Sequence, residues 1–97
     1  MPKIITMPKR FDYSAMSDFN IAISAALEKS AALNVSDKRI LLDCMQMDYI
    51  DSSGLGLLVM AFKRAQEKNC HLSVINVKPA AKEILLLANL QKLMEIH

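Results

Sequence analysis

At residues 49–56 the chain reads Tyr49-Ile50-Asp51-Ser52-Ser53-Gly54-Leu55-Gly56. The segment before this stretch is apolar and the segment after it is amphipathic, so the stretch predicts a turn from a strand into a helix. Its two serines stand at the predicted helix start, where backbone N–H groups lack intrahelical partners and the helix dipole favours negative charge. A serine in this position either caps the helix or carries a regulatory modification.

The rest of the chain predicts alternating strands and helices. We expect strands at 4–7, 39–45, 71–77 and 93–96, and helices over 14–30, 51–68 and 79–89. The strand at 39–45 is mostly apolar, which is typical of a central strand buried on both faces. The helix between the strands at 39–45 and 71–77 predicts that these two strands are parallel. From the alternation of strands and helices we predict one α/β domain over residues 1–97, with a small mixed sheet of about four strands packed against three to four helices.

Residues that favour helix ends support these bounds. Asp12 or Ser14 can cap the first helix, and Asn69 can end the second in the left-handed conformation. Pro79 can open the third helix and Asn89 can close it. Residues 31–38 are predicted to form a polar connection.

Composition argues against several classes of function. A chain of 97 residues leaves little room for a deep pocket with several supported catalytic groups. The twelve basic residues are scattered without interleaved aromatic residues, so we expect no nucleic-acid-binding surface. Cys44 and Cys70 are too far apart for a redox pair or a metal motif, and the first residues carry no secretion signal. Because no apolar stretch is long enough to span a bilayer, we expect a cytoplasmic protein without direct membrane insertion.

Catalysis by one of the serines is not expected either. A nucleophilic serine needs a base and an orienting group, and the only histidines are His71, at a predicted strand start, and His97, at the chain end. The glycines follow the serines rather than flank one, and no phosphate-binding lysine motif is present. No known metal-binding loop has the spacing of the candidate aspartates, Asp12, Asp43, Asp48 and Asp51. The sequence therefore predicts a domain that is not an enzyme and needs no metal or cofactor.

The glycines of the turn need an explanation beyond helix capping. Gly54 and Gly56 each weaken a helix by about 0.5 to 1 kcal/mol relative to alanine. Close approach by another molecule would justify bare backbone, and so would tight packing of the first helical turn under a neighbouring loop. The residues alone leave both explanations open.

The helix after the turn predicts two different faces. At about 100° per residue, the expected core stripe contains Leu55, Leu58, Val59, Phe62 and Ala65. The opposite face contains Ser53, Leu57, Met60 and Arg64. Apolar residues on an outer face suggest a surface for a partner protein, and packing under the third helix is the alternative.

Two segments of the chain are Ile40-Leu41-Leu42-Asp43 and Met47-Asp48-Tyr49-Ile50-Asp51-Ser52-Ser53-Gly54-Leu55-Gly56. Together they resemble the signature of STAS domains, the family of bacterial anti-sigma factor antagonists. The resemblance extends to the turn before the first helix and to the last strand-to-helix junction and helix end, at Phe11-Asp12-Tyr13-Ser14, Val77-Lys78-Pro79 and Asn89-Leu90.

The resemblance implies a phosphorylation switch. It implies that Ser52 is the phosphoacceptor and that Asp51 shapes the turn or presents the hydroxyl. The implied kinase is an anti-sigma factor with a histidine-kinase-like ATP-binding fold, and a metal-dependent serine/threonine phosphatase would reverse its action. The unmodified antagonist would bind the kinase and free a sigma factor or another client. We predict a partner-binding surface composed of Asp12, Asp51, Ser53, Gly54, Gly56, Leu57, Met60 and Arg64.

Differences from longer family members add two expectations. Only one predicted strand precedes Phe11, where many members have two, and the predicted elements end where many members continue into a terminal helix. An open sheet edge would make a homodimer conceivable. Related short domains sit on the ATPase of a lipid-transporting ABC system. The alternative function is therefore that of a non-catalytic STAS subunit docked on such an ATPase.

Overall fold

Strands and helices alternate through residues 2–32 and 37–97, the part of the chain that the structure describes. In this computed structural model the elements are, in chain order, β1 (Lys3–Thr6), β2 (Arg10–Phe11), α1 (Met16–Ala32), β3 (Arg39–Asp43), β4 (Tyr49–Ile50), α2 (Ser52–Glu67), β5 (His71–Ile75), α3 (Pro79–Leu87) and β6 (Glu95–Ile96). Short 3-10 turns over Tyr13–Ala15 and Leu90–Lys92 precede α1 and β6. The α/β class is confirmed.

Four strands form the main sheet, in the spatial order β1-β3-β5-β6. Strand β3 is central, as predicted, and pairs with β1 and β5. The prediction of a mixed sheet is wrong, because each pairing among the described residues is parallel. The physical reason is the connectivity, since a helix separates each of these strands from the next and returns the chain to the same end of the sheet.

A second, smaller sheet contains β2 and β4, paired in parallel. The sequence predicted a polar turn at residues 10–14 and assigned no strand to residues 49–50. Only one strand was expected before Phe11, so β2 corrects that expectation as well. Each of these strands has two residues, which is too short for alternation of polar and apolar side chains to be visible.

The residues expected to delimit the helices largely do so. Asp12 caps the 3-10 turn that leads into α1, and Pro79 is the first residue of α3. Asn69 and Asn89 have φ values of 57° and 61°, so both adopt the predicted left-handed conformation after a helix. Asn76, with φ of 56°, ends β5 in the same way and was not foreseen. Residues 33–36 of the predicted polar connection lie outside the described residues.

The core lies between the main sheet and the helices. Strands β3 and β5 contribute Ile40, Leu42, Leu72 and Val74, which are almost completely buried. The helices cover them with Phe19, Ile23, Leu27, Leu58, Ala61, Ala65 and Leu85. The core thereby fixes the position of α2, whose first turn carries the serines.

The two cysteines differ in burial. Cys44 is buried, and its thiol donates to the carbonyl oxygen of Leu42 at 3.6 Å. Burial, with a smaller contribution from the charge of Asp43, raises the pKa of the Cys44 thiol to about 12. Cys70 is only half-buried.

We therefore predict that the two thiols react at very different rates. Because the thiolate is the reactive species, a disulfide reagent at pH 8 should modify Cys70 in the folded protein and reach Cys44 only after unfolding. Timed labelling with and without urea, followed by peptide mapping, measures this difference. The Cys70→Ser variant is the control, and rapid labelling of that variant in its folded form would contradict the burial of Cys44.

Candidate functional site

The serine turn is held in place by the small β2-β4 sheet. Phe11 of β2 is the register partner of Ile50 in β4. Each of these residues is followed by an aspartate that begins a helical segment: Asp12 caps the 3-10 turn and Asp51 caps α2. Because the two strands are parallel, they end at the same edge of the sheet and the two capped helical starts lie beside each other.

Asp51, not Ser52, caps α2. Its Oδ1 accepts the backbone N–H of Gly54 at 3.1 Å, and its carbonyl oxygen accepts the N–H of Leu55 at 2.9 Å. The sequence left open whether a serine of the turn caps the helix or carries a regulatory modification. The capping function belongs to Asp51 and not to a serine. Aspartate is among the best capping residues because its carboxylate also complements the helix dipole.

Ser52 and Ser53 are the first two residues of α2, and both are exposed. Backbone N–H groups at these positions have no partners within the helix, so an anion attached at this end can be stabilised by them. Ser14, two residues after the Asp12 cap, differs because its hydroxyl donates to Asp12 Oδ1 at 2.5 Å. Ser52 and Ser53 therefore present exposed hydroxyls at the start of the helix.

The two glycines of the turn have different roles. A Cβ atom at Gly54 would lie 2.3 Å from the carbonyl oxygen of Phe11 and 2.9 Å from Cγ1 of Ile50. Gly54 is thus required for the first turn of α2 to lie directly on the β2-β4 sheet. A Cβ at Gly56 would meet nothing within 4 Å. Tight internal packing explains Gly54, whereas the fold places no such demand on Gly56.

This result corrects the predicted role of Gly54. The residue is buried, so its backbone does not belong to a surface that a partner could contact. Gly56 is exposed and remains a candidate contact residue.

The buried face of α2 is rotated from the predicted one. Leu58 and Ala65 are buried as expected, but Leu55, Val59 and Phe62 are only partly buried. The other buried positions are Gly54 and Ala61. Three of the four buried residues of α2 are therefore small, and Leu55, Val59 and Phe62 pack at the edge of the core.

The outer face of α2 consequently differs from the prediction at two positions. Leu57 is partly buried and packs against the core, so it does not face away from it. Arg64 is partly buried, and its Nη2 donates to Ser24 Oγ of α1 at 2.6 Å. Met60 remains exposed, at 62% of its full accessibility. Ser52, Gly56 and Met60 are spaced four residues apart and form the exposed ridge of α2.

Charged groups beside the turn are largely paired. Lys78 donates to Asp48, and this hydrogen bond lowers the pKa of the Asp48 carboxyl. After β2, a hydrogen bond from Ser14 and a weaker contribution from the hydrogen bond of Arg10 lower the pKa of the Asp12 carboxyl. Arg10 also lies over the ring of Tyr49, with its Cζ 4.2 Å from the ring centroid.

Sequence reasoning missed three exposed residues near the turn. Tyr13 is 70% exposed and directly follows the Asp12 cap, as Ser52 follows the Asp51 cap. Arg10 and Tyr49 are register partners in the small sheet. For Tyr13 a signal was present in the sequence, because Phe11-Asp12 and Ile50-Asp51 repeat the same order of buried residue and cap.

The two histidines lie together at another place in the fold. His71 Nε2 and His97 Nε2 are 3.3 Å and 3.1 Å from the two oxygens of Glu95. These contacts involve β5 and β6, not the serine turn. Among residues 2–32 and 37–97, no group of three or more histidine, cysteine or acidic residues is arranged to hold a metal ion. Within the same ranges, no helix is long and apolar enough to cross a membrane.

Comparison with known proteins agrees with this fold. The family model described as "Mlab, STAS domain" matches residues 10–95. A STAS-domain containing protein of Pseudomonas aeruginosa (strain UCBPP-PA14) is 32% identical over 92 residues, which span 95% of this chain and 84% of that protein. The chain therefore belongs to the STAS-domain family.

Solved structures share the fold at low sequence identity. An anti-sigma-factor antagonist (STAS) domain protein from Planctomyces limnophilus is 19% identical, with a TM-score of 0.76 over 97% of this chain and 79% of that chain. The phosphorylated form of SpoIIAA, a Bacillus cell fate determinant, is 18% identical, with a TM-score of 0.66 over 97% of this chain and 80% of that chain.

We predict that alanine has opposite effects at the two glycines. Gly54→Ala should destabilise the fold by about 1 to 3 kcal/mol, because the new Cβ overpacks against the backbone of Phe11. Gly56→Ala should stabilise it by about 0.5 to 1 kcal/mol, since alanine favours a helix and meets open space. Urea unfolding of both variants measures these changes. Equal effects of the two substitutions would contradict the assigned packing of Gly54.

Proposed function

We propose that this protein is a partner-switching regulator controlled by phosphorylation of Ser52. The observation that carries the proposal is the division of roles at the start of α2: Asp51 already holds the helix end, so the exposed hydroxyl of Ser52 is available for modification. Family membership supports Ser52 as the phosphoacceptor, because the Asp-Ser-Ser-Gly turn on which the resemblance rests lies between β4 and α2. The protein acts as a substrate and a binding module, and catalysis belongs to its partners.

In the proposed reaction, the Oγ of Ser52 attacks the γ-phosphorus of ATP held by the kinase partner. The bond from that phosphorus to the β–γ bridging oxygen breaks, ADP leaves, and the serine proton passes to a base of the kinase. A metal-dependent serine/threonine phosphatase returns the serine by hydrolysis, with water supplying the new oxygen of inorganic phosphate. Because the kinase needs ATP, the proposed location is the cytoplasm.

Phosphate at Ser52 is compatible with the folded state for an electrostatic reason. It adds roughly −1.5 to −2 charges and three acceptor oxygens. The N-terminus of α2 offers positive dipole and backbone N–H groups, which stabilise a nearby negative charge by about 0.3 to 1 kcal/mol. The modification can therefore change the charge of the surface without disrupting the helix that carries it.

The binding surface in this proposal is the exposed ridge of Ser52, Gly56 and Met60, with Ser53 and Asp12 at its margin. Gly56 allows a partner to approach the helix backbone, and Met60 supplies an adaptable apolar side chain. In the unmodified state this ridge binds the ATP-binding kinase, which then releases its sigma factor or other client. A phosphate at Ser52 places charge inside the contact and costs several kcal/mol of binding free energy, on the order of a buried unpaired charge.

A second candidate function is favoured by the family model. Its description names Mlab, and the alternative assignment is a non-catalytic STAS subunit docked on the ATPase of a lipid-transporting ABC system. The ridge of α2 would then be a permanent contact, and Ser52 would contribute only its small size. A homodimer through the open edges of the main sheet at β1 and β6 is compatible with either function.

The deciding experiment compares Ser52 with its neighbour. The tagged chain is expressed in its native host, captured, and examined by intact mass and peptide mapping. We expect one phosphate on the wild type and on Ser53→Ala, and none on Ser52→Ala. Purified kinase partner and ATP should reproduce the pattern, and Ser52→Asp should weaken the complex with that partner.

Two results would contradict the switch. The first is a phosphate that persists on Ser52→Ala. The second is recovery of a membrane-associated transport ATPase whose binding and activity are unchanged by both Ser52→Ala and Ser52→Asp, and this result would establish the second candidate.

A further inference from the structure

We propose that Arg10, stacked on Tyr49, is a specificity-determining residue that binds a carboxylate on the same ATP-binding partner. The inference rests on the proposed function and deepens it, because it places a recognition element on the small sheet rather than on α2. Sequence analysis did not predict this element, because it depends on the pairing of β2 with β4.

Arg10 is fixed on two sides before any partner arrives. Its Nε donates to Asp12 Oδ2 at 2.6 Å, and its Cζ lies 4.2 Å from the ring centroid of Tyr49. The register of the small sheet places Arg10 opposite Tyr49, so backbone pairing maintains the stack. Even so, 66% of the Arg10 side chain is exposed.

Asp12, which holds Arg10, is itself immobilised. Its Oδ1 accepts the backbone N–H of Ser14 at 2.9 Å and the hydroxyl of Ser14 at 2.5 Å. A flexible arginine normally loses much side-chain entropy on binding, and this loss reduces affinity. Here the fold has already restricted the guanidinium, so a partner would meet a preorganised group.

The fold gains little from this arrangement. Phe11 and Ile50, which alternate with Arg10 and Tyr49 along the two strands, are the residues that point into the core. Arg10 and Tyr49 therefore lie on the opposite, solvent-facing side. An exposed ion pair contributes little to stability, whereas arginine and tyrosine are common energetic anchors of interfaces.

The chemistry of Arg10 selects a carboxylate. A guanidinium carries five N–H donors in a planar fork, and one of them is engaged by Asp12. The fork geometry matches a second carboxylate. The neighbouring acidic groups already have internal partners, because Asp48 is paired with Lys78 and Asp51 accepts from Gly54. Asp12 offsets part of the Arg10 charge, so a partner carboxylate would bind through the guanidinium N–H groups that Asp12 does not engage.

This assignment also connects Arg10 to the switch. Ser52 begins the helix that follows β4, and β4 pairs with β2, the strand of Arg10, so a phosphate at Ser52 would add its charge at the end of the small sheet that carries Arg10. The phosphate adds roughly two negative charges, which repel an acidic partner group and compete for Arg10. Phosphorylation would then weaken binding at two places on the surface.

The test uses the purified partner that phosphorylates Ser52 and measures its dissociation constant by calorimetry. Arg10→Lys keeps the charge but removes the planar fork and the stack, so we expect affinity to fall about tenfold or more. The unfolding midpoint in urea should not change. Tyr49→Leu should weaken binding in the same direction, and Tyr49→Phe, which keeps the ring, should not.

Arg39→Lys is the matched control. Arg39 is also exposed and also pairs with an aspartate two residues away, with Nε 3.0 Å and Nη2 2.9 Å from the oxygens of Asp37. It stands at the start of β3, away from the small sheet. Affinity should be unchanged by this substitution.

The outcomes separate this inference from the proposed function. If Ser52→Asp weakens the complex but Arg10→Lys leaves it unchanged, the inference is wrong and the proposed function stands. If no partner phosphorylates Ser52, both are wrong. Binding to phosphatidylglycerol vesicles that depends on Arg10, with no effect on the protein complex, would assign the residue to a membrane surface and overturn the proposal.

Discussion

The close contact between α2 and β2 is the constraint on which the rest of the site depends. The first turn of α2 lies so near the carbonyl oxygen of Phe11 that only glycine fits at position 54. Asp51 directly follows β4 in the chain, and its carboxylate caps the helix that this contact holds in place. The start of α2 is therefore held by the packing of Gly54 on β2 and by the Asp51 cap. Ser52 extends from this fixed point into solvent.

This arrangement separates the residues that stabilise the turn from those of the proposed switch. Gly54 and Asp51 maintain the turn through internal contacts, so neither needs to touch a partner. Ser52, Gly56 and Met60 face outward, and the packing of the domain does not require their particular side chains. A domain with a single small core can then change its surface charge without losing its fold, which is the physical requirement of a reversible switch.

Much of this could be predicted from the sequence. The alternation of apolar segments with amphipathic ones gave the α/β class, and the asparagines after α2 and α3 gave the ends of both helices. The serine turn was recognised because its hydroxyls and glycines stand at a strand-to-helix junction. These features are local, and local patterns are what a single sequence reveals best.

The errors have identifiable physical causes. Periodicity placed Leu55, Val59 and Phe62 in the centre of the core because it weighs large apolar residues, but α2 approaches the sheet through Gly54, Ala61 and Ala65. Because the predicted core stripe was rotated, Leu57 and Arg64 were assigned to the outer face. The pairing of β2 with β4 joins residues far apart in sequence through strands of two residues each. Arg10 and Tyr49 could be recognised only after that pairing was known.

We propose that phosphorylation of Ser52 changes binding while the start of α2 stays folded. Hydrogen exchange of the Gly54 and Leu55 amides tests it most directly, since both donate to Asp51. These amides should be compared in the unmodified and the phosphorylated protein, alongside the affinity of each form for the kinase partner. We expect equal or slower exchange of the two amides after phosphorylation, together with weaker binding to the kinase partner. Faster exchange at these two amides would contradict it, because the switch would then operate by unfolding the helix start.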